Sequence, residues 1–359
     1  MKIVEIINAF SLRGGAEVFL YSLLREMSKN KNNEIFLIIL FDGIHESFDL
    51  KKENIKIFTC HKRKGIDFFA AKELKRILDK IKPDIVHTHL SCSASLFFAY
   101  GFKKRPWVRV HTIHSVADKE SSKPIILLNK ILLKKSLINF VGISRQVSLS
   151  IEKTYNTKEI VTINNGVEIT DEVGSNYESR KYDFICVARF FEVKNHKFLL
   201  ESFKTYLRNH NSSLFLLVGD GELKVECEKY CIENSMMKNV VFTGAVNDVG
   251  KYLAQSKVLV LTSFYEGNPI SILEGISAGL VIVSSDVGGV SDVVSNNING
   301  FLYASGDRKQ FLECLEKSLT KQNWERIRKN NIVARNKFSI QACSKQYLSY
   351  FEYLLLNKK

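Results

Sequence analysis

The chain has 359 residues, 45% hydrophobic and 25% charged, with four prolines. No repeat or low-complexity tract runs through it, which excludes a fibrous, disordered or solenoid protein and leaves room for two domains with separate cores. The net charge is +14, and it is uneven: residues 1–165 carry 28 Lys and Arg against 16 Asp and Glu, residues 166–359 carry 24 against 22. A basic first half fits nucleic acid, an anionic membrane surface or a soluble basic face.

The opening Met1-Lys2-Ile3-Val4-Glu5-Ile6-Ile7 has a charge inside its apolar run and no small-residue cleavage site. It reads as a first β-strand rather than a signal peptide, and no apolar run reaches the ~18–20 residues that cross a bilayer. Short β-branched runs then alternate with helical patterns, the mark of α/β units on parallel sheets. The first series of strands is expected at 2–7, 34–41, 55–59, 84–88, 107–113 and 138–142. Ala16, Leu20, Leu23, Leu24 and Met27 share one face of a helix between the first two. Residues 168–181, polar and without apolar periodicity, read as a linker containing Asp171, Gly174, Ser175 and Asn176. A second series of strands follows at 183–188, 214–219, 240–243, 258–262, 281–284 and 300–303. Its helices are expected at 195–209, 222–234, 270–278, 307–320 and 324–336. A final helix over 339–357 carries Tyr347, Tyr350, Phe351 and Leu354 at helical spacing and is expected to pack back on the first lobe. The expected domains are therefore 1–167 with 338–359 returning to it, and 168–337. Two doubly wound lobes of this kind would face each other across a cleft.

The seven cysteines (Cys60, Cys92, Cys186, Cys227, Cys231, Cys314, Cys343) are scattered and odd in number, which points to reduced thiols in the cytoplasm. Cys227 and Cys231 lie one helical turn apart, but no second pair or nearby histidine completes a zinc site.

Four segments are able to carry chemistry. Ser11-Leu12-Arg13-Gly14-Gly15-Ala16-Glu17 opens the first helix, where a glycine pair either brings backbone N–H groups to an anion or makes a tight turn with positive φ. It is not G-x-G-x-x-G, which argues against a nicotinamide dinucleotide. His111-Thr112-Ile113-His114 ends a strand; with three-residue spacing its histidines would face opposite ways and not chelate one metal. His87-Thr88-His89 ends another strand, and there a structural role is the favoured reading. Val187-Ala188-Arg189 with Lys194-Asn195-His196 places two cations in one βα loop, which suits a diphosphate as well as plain solvation. The strongest segment is Ser263-Phe264-Tyr265-Glu266-Gly267-Asn268-Pro269-Ile270-Ser271-Ile272-Leu273-Glu274-Gly275. Pro269 near a helix start leaves the amides of Ile270 and Ser271 free to bind phosphate or sugar oxygens. Glu266 and Glu274 would meet different parts of one ligand.

In order along the chain these segments resemble the retaining GT-B glycosyltransferases of family four. Asn165-Gly166-Val167, Gly219-Asp220-Gly221, Phe242-Thr243-Gly244 and Gly300-Phe301 add to the likeness, and the E-x7-E spacing of Glu266 and Glu274 is its most specific part. The resemblance implies an α/β GT-B fold with two Rossmann-like lobes. It also implies that Arg189 and Lys194 bind the donor diphosphate and stabilise the leaving nucleotide. Glu274 would accept from the ribose hydroxyls, and Glu266 with the amides around Asn268, Ile270 and Ser271 would hold the transferred sugar. Gly15 would present its amide to the phosphate from the opposite lobe, His114 would reach the sugar or reacting centre, and Val246, after Ala245, would sit near the base. The catalytic set is thus His114, Glu266, Arg189 and Lys194. No cofactor and no metal are expected: two cations can stabilise the departing diphosphate, and no Asp-x-Asp metal motif appears. No residue stands out as a nucleophile for double displacement, and the resemblance implies retention by front-face departure and attack, with the leaving phosphate expected to take the acceptor proton.

The expected partners are a nucleotide sugar, UDP-linked before GDP-mannose, and a saccharide acceptor, lipid-linked in surface polysaccharide assembly. The basic first lobe (His61-Lys62-Arg63-Lys64, Lys72, Lys75, Arg76, Lys103-Lys104-Arg105) and the apolar, lysine-bearing segment 123–137 suggest an anionic membrane surface. The enzyme would then be cytoplasmic and peripheral on the inner face of the membrane. Two other functions are consistent with parts of the pattern: a sugar-nucleotide 2-epimerase of the same architecture, and a basic nucleic-acid-binding protein. No RNA- or DNA-binding signature accompanies the charge, so no nucleic acid is expected.

Overall fold

The structure is a computed structural model that describes residues 1–10, 14–42, 50–158, 160–169 and 176–358. Ser11, Leu12 and Arg13 of the glycine motif, and the linker positions Asp171, Gly174 and Ser175, lie outside the described residues. The chain divides into two compact units, Met1–Gly166 with Ile340–Lys359, and Val167–Ser339.

The first unit runs β1 (Lys2–Ile7), α1 (Gly15–Ser28), β2 (Glu34–Ile39), β3 (Lys56–Thr59), α2 (Phe68–Ile81), β4 (Ile85–His89), α3 (Ser93–Tyr100), β5 (Val108–Ile113), α4 (Ala117–Glu120), α5 (Lys123–Lys134), β6 (Asn139–Gly142), α6 (Arg145–Tyr155) and β7 (Val161–Thr162). The strands form one parallel sheet in the order β3-β2-β1-β4-β5-β6-β7. Helices cover both faces of such a sheet, so β1 and β4 are buried along almost their whole length. Local chemistry sets the helix ends. Asp67 caps α2 by accepting from the amides of Phe69 and Ala70, and Ser144 caps α6 through Val147.

The second unit runs β8 (Tyr182–Val187), α7 (His196–Tyr206), β9 (Phe215–Val218), α8 (Lys224–Glu233), β10 (Val240–Gly244), α9 (Gly250–Ala254), β11 (Ser256–Leu261), α10 (Ile270–Ser277), β12 (Val281–Ser285), β13 (Gly300–Tyr303), α11 (Arg308–Leu319) and α12 (Lys321–Ala334). Its parallel sheet has the order β10-β9-β8-β11-β12-β13. The last helix, α13 (Ile340–Leu356), returns to the first unit and packs on α1, burying Tyr347 and Phe351.

Each expected strand and helix is present within about three residues of its expected ends, but α2 to α6 and α9 have no counterpart among the expected helices, and three further differences stand out. The short β7 is not expected from the sequence, because two residues carry no pattern. The described end of the expected linker, 176–181, is anchored to the second unit: the Tyr177 hydroxyl donates to the Leu319 carbonyl at 2.6 Å and its ring stands edge-on to Trp324. Gly14 caps α1 in extended backbone, φ −119°, so the tight turn with positive φ is not what this glycine supplies.

Candidate active site

In each sheet one strand has its sequential successor on one side and a later strand on the other. The ends of β1 and β4, and of β8 and β11, flank these branch points, where open α/β sheets bind ligands.

In the second unit, the loops after β8 and β11 are joined to each other. Thr262 Oγ1 donates to the carbonyls of Lys194 and Asn195, both at 3.1 Å, and the Phe264 amide donates to the Val193 carbonyl at 2.9 Å. Asn195 adopts the left-handed region at φ 52°, which asparagine tolerates, and its side chain caps α7 through Phe198. This backbone aims Lys194 at the β11 loop, where its Nζ donates to Glu266 Oε1 at 2.6 Å. Ser263 Oγ donates to the same oxygen at 2.6 Å. Glu266 is 6% exposed, so its pairing with Lys194 is largely shielded from water.

A glycine turn supports Glu266 from behind. Gly288 has φ +55°, and a Cβ there would stand 1.8 Å from the Glu266 carbonyl, to which Gly289 donates at 3.0 Å. Gly219 is equally constrained: at φ +140°, its Cβ would meet the Ala188 carbonyl at 2.0 Å. The loop after β9 therefore lies directly on the one carrying Arg189, which is exposed and rests over the Phe191 ring at 4.8 Å.

Pro269 precedes α10, whose first intrahelical bonds come from Ile272 and Leu273 to the Pro269 carbonyl. The amides of Ile270 and Ser271 thus head the helix at its positive dipole end, next to Asn268. Glu274 lies one turn further in, and burial pushes its carboxyl up to about 7. Val246 follows β10 at the sheet edge, two strands from β8, partly buried against the core. The structure thus gathers Arg189, Lys194, Glu266, Asn268, Ile270, Ser271 and Glu274 around the β8–β11 branch point and leaves Val246 at the sheet's side.

In the first unit, Gly15 begins α1 and is exposed, while His114 lies just beyond β5. The His114 amide donates to Glu120 Oε2 at 2.6 Å, and its ring meets the Phe19 ring of α1 edge-on at 6.1 Å. Burial pushes the Glu120 carboxyl up to about 8. His111 turns away from His114 into the core, as its spacing requires, with Nδ1 2.8 Å from Thr88 Oγ1.

Behind His114 is a buried polar cluster that local sequence pattern does not assemble. Glu5 of β1 stands in register with His87 of β4, and His89 with Thr112 of β5. Glu5 Oε2 lies 2.9 Å from His87 Nδ1 and 2.8 Å from His89 Nε2, and His89 Nδ1 lies 2.9 Å from His114 Nε2. Thr112 Oγ1 reaches His87 Nε2 at 2.7 Å and the Tyr347 hydroxyl of α13 at 3.1 Å. Although burial acts to raise the Glu5 carboxyl, its histidine partners hold it down at about 2. Burial and the neighbouring His87 hold His89 at about 4 despite Glu5.

Among the described residues, Glu5, His87 and His89 form the one group with ligand atoms near enough to share a metal, within 4.8 Å of one another. Tetrahedral ligands at about 2.0–2.1 Å from an ion stand roughly 3.3 Å apart. The contacts from Glu5 to both rings are shorter than that, as direct hydrogen bonds are.

Two family descriptions match the chain: "Glycosyltransferase Family 4" over residues 13–171 and "Glycosyl transferases group 1" over residues 169–336. A curated relative, the UDP-Gal:alpha-D-GlcNAc-diphosphoundecaprenol alpha-1,3-galactosyltransferase of Escherichia coli, is 30% identical over 263 residues, 67% of this chain and 68% of that protein. This chain belongs to glycosyltransferase family 4. Solved structures agree on the fold. A glycosyltransferase from Rickettsia africae superposes with a TM-score of 0.83 at 18% identity, covering 100% of this chain and 99% of its own. HepE of Anabaena, solved with UDP-glucose, gives 0.81 at 16% identity over 99% and 100%. The enzyme is therefore a glycosyltransferase with the GT-B fold, built from two parallel-sheet, Rossmann-like domains. What the sequence does not reveal is that Glu5, His87, His89, Thr112 and Tyr347 join into one cluster behind His114, and that Glu120 holds the His114 amide. A signal was present for three of them: a carboxylate inside a buried strand needs partners, and His87 and His89 share one face of β4 by their two-residue spacing.

Proposed function

We propose that this glycosyltransferase retains anomeric configuration, works without a metal, and moves a hexose or N-acetylhexosamine from a UDP-sugar to a lipid-linked saccharide in surface polysaccharide assembly. The observation that carries the donor reading is the Lys194–Glu266 pair at the head of α10. An arriving diphosphate competes for the ammonium of Lys194 and meets Arg189 and the amides of Ile270 and Ser271. These fixed positive groups stabilise the charge that grows on the leaving nucleotide. Glu266 and Asn268 then hold sugar hydroxyls, and Glu274 accepts from the ribose. One oxygen of Glu266 already takes two hydrogen bonds, from Lys194 and Ser263, which makes it a poor nucleophile and favours front-face attack. Gly15 and His114 meet the phosphate and the sugar. The donor base and the lipid-linked acceptor follow the activity for which the Escherichia coli relative is named, and bound UDP-glucose in HepE agrees with the base.

The acceptor reading draws on the surface of the first unit. Phe69 and Leu127 are 76% and 61% exposed, near Lys62, Arg63, Lys64, Lys123 and Lys130 in the chain. A cavity of 520 Å³ nearby is lined by Ile66, Ala70, Phe97, Phe98, Ile125 and Leu128. Apolar side chains edged with lysine suit an anionic membrane surface, each cation there contributing about 1 kcal/mol. No described helix is long and apolar enough to cross a membrane.

A thermal-shift panel of UDP, GDP and ADP tests the donor. UDP should raise the melting temperature with its concentration while GDP and ADP leave it unchanged. A shift by GDP alone overturns the UDP reading, and a glycosyl ester trapped on Glu266 overturns the front-face step. Vesicles with anionic lipid should carry the protein up a flotation gradient at physiological salt; a protein that stays at the bottom removes the membrane reading.

A further inference from the structure

The polar chain behind His114 admits a restricted set of proton positions, and that set determines which ring nitrogen of His114 carries hydrogen. The Glu5 carboxylate is ionised and only accepts. His89 Nε2, 2.8 Å away, must therefore donate to it, since an unprotonated nitrogen would set two lone pairs against each other. His89 is neutral, so its Nδ1 has a lone pair and accepts. The atom facing it at 2.9 Å is His114 Nε2, which must carry the hydrogen. His114 is held neutral by burial and by the histidines beside it. Its Nδ1 is then the unprotonated nitrogen, and it makes no hydrogen bond among the described residues. The Phe19 ring and the bond from the His114 amide to Glu120 restrict the residue further.

We propose that Glu5 and His89 are positioning residues for His114: they lock it as the Nε2–H tautomer, so that Nδ1 accepts a hydrogen bond from a hydroxyl of the sugar substrate. The tautomer follows from the hydrogen-bond chain within one unit, whereas the substrate contact rests on the transferase reading above. The physical logic is that of a buried carboxylate fixing a histidine through its far nitrogen, where exchange for an amide imposes the wrong tautomer. Here the instruction passes through a second histidine. The amide of Glu5→Gln offers a hydrogen where one was accepted, which lets His89 reverse and leaves His114 Nε2 without its acceptor.

Ring-nitrogen NMR of ¹⁵N-histidine-labelled enzyme reads the tautomer directly, with His114→Asn supplying the assignment. Wild type should show a protonated Nε2 and an unprotonated Nδ1 at His114, and a protonated Nδ1 overturns the proposal. Kinetics follow UDP release from UDP-galactose with a GlcNAc-diphosphoundecaprenol acceptor. Glu5→Gln should lower kcat at least about tenfold in wild type and less than about twofold in the His114→Asn background. Equal losses in both backgrounds mean that Glu5 does not act through His114. Should Glu5→Gln fail to fold, the wild-type spectrum still decides the tautomer. A wild type without turnover sinks the choice of substrates, and the spectrum then decides the proposal alone.

Discussion

At the branch point of the second sheet, the charged side chains stand on loops beyond the strand ends; at that of the first, they are threaded into the strands. Lys194 and Glu266 come from the loops after β8 and β11 and pair with each other. Glu5, His87 and His89 sit inside β1 and β4, fully buried, with neighbours dictated by strand register. They cannot touch a substrate, and only His114 at the end of their chain extends past the sheet. The same topology thus provides a charge pair between two loops in one unit and a buried polar chain that ends at a single ring in the other.

The largest effect separating the two should come from Lys194→Ala. If Lys194 stabilises the leaving diphosphate as proposed, kcat should fall by about 10²–10³. A fall of less than tenfold would mean that the β8–β11 loops are not where the leaving group is stabilised.

Gly288→Ala tests whether the loop scaffold matters as much as the charges. A Cβ 1.8 Å from the Glu266 carbonyl, at φ +55°, must displace the turn that supports Glu266. A stability loss of about 1–3 kcal/mol in denaturant unfolding is expected, with a lower kcat. Unchanged values would show that the turn yields without moving Glu266.

The smallest effect concerns pH. Glu274 keeps its proton up to about pH 7 in the folded protein, against an ordinary value of 4.5, so the unfolded chain loses its proton first as pH rises. Raising pH between those values therefore costs stability, whereas the proposed ribose contact is strongest with the ionised form, which accepts through both oxygens. Affinity for UDP, measured by calorimetry, should weaken as pH falls below about 7, by at most tenfold per unit. Glu274→Gln should flatten that dependence. His89, held at about 4, adds nothing to it.

Much of the second unit's candidate site could be assembled from the sequence because its residues are close together in the chain. Glu266, Asn268, Ile270, Ser271 and Glu274 fall within a span of nine positions. Pro269 marks the helix start by elementary backbone chemistry, and Arg189 and Lys194 share one loop. The first unit's support was not readable in this way. Glu5 stands out in the sequence only as an interruption of an apolar run, and its partners lie 82 and 84 positions further on. His87-Thr88-His89 reads as structural because nothing local says which strand adjoins β4. Gly14 shows a smaller mismatch: glycine permits positive φ but does not require it, and here the chain uses extended backbone.

Hydrophobic periodicity by itself determined the two strand series and most helices of the second unit, and Pro269 marked the start of α10. These signals are local: each depends on residues within one or two turns. Strand order, the in-register meeting of Glu5 with His87, the anchoring of Tyr347 against Thr112, and the pairing of Lys194 with Glu266 were decided only by tertiary structure. Those contacts join positions distant in the chain, and burial then makes each unmet hydrogen bond too costly to leave unmade.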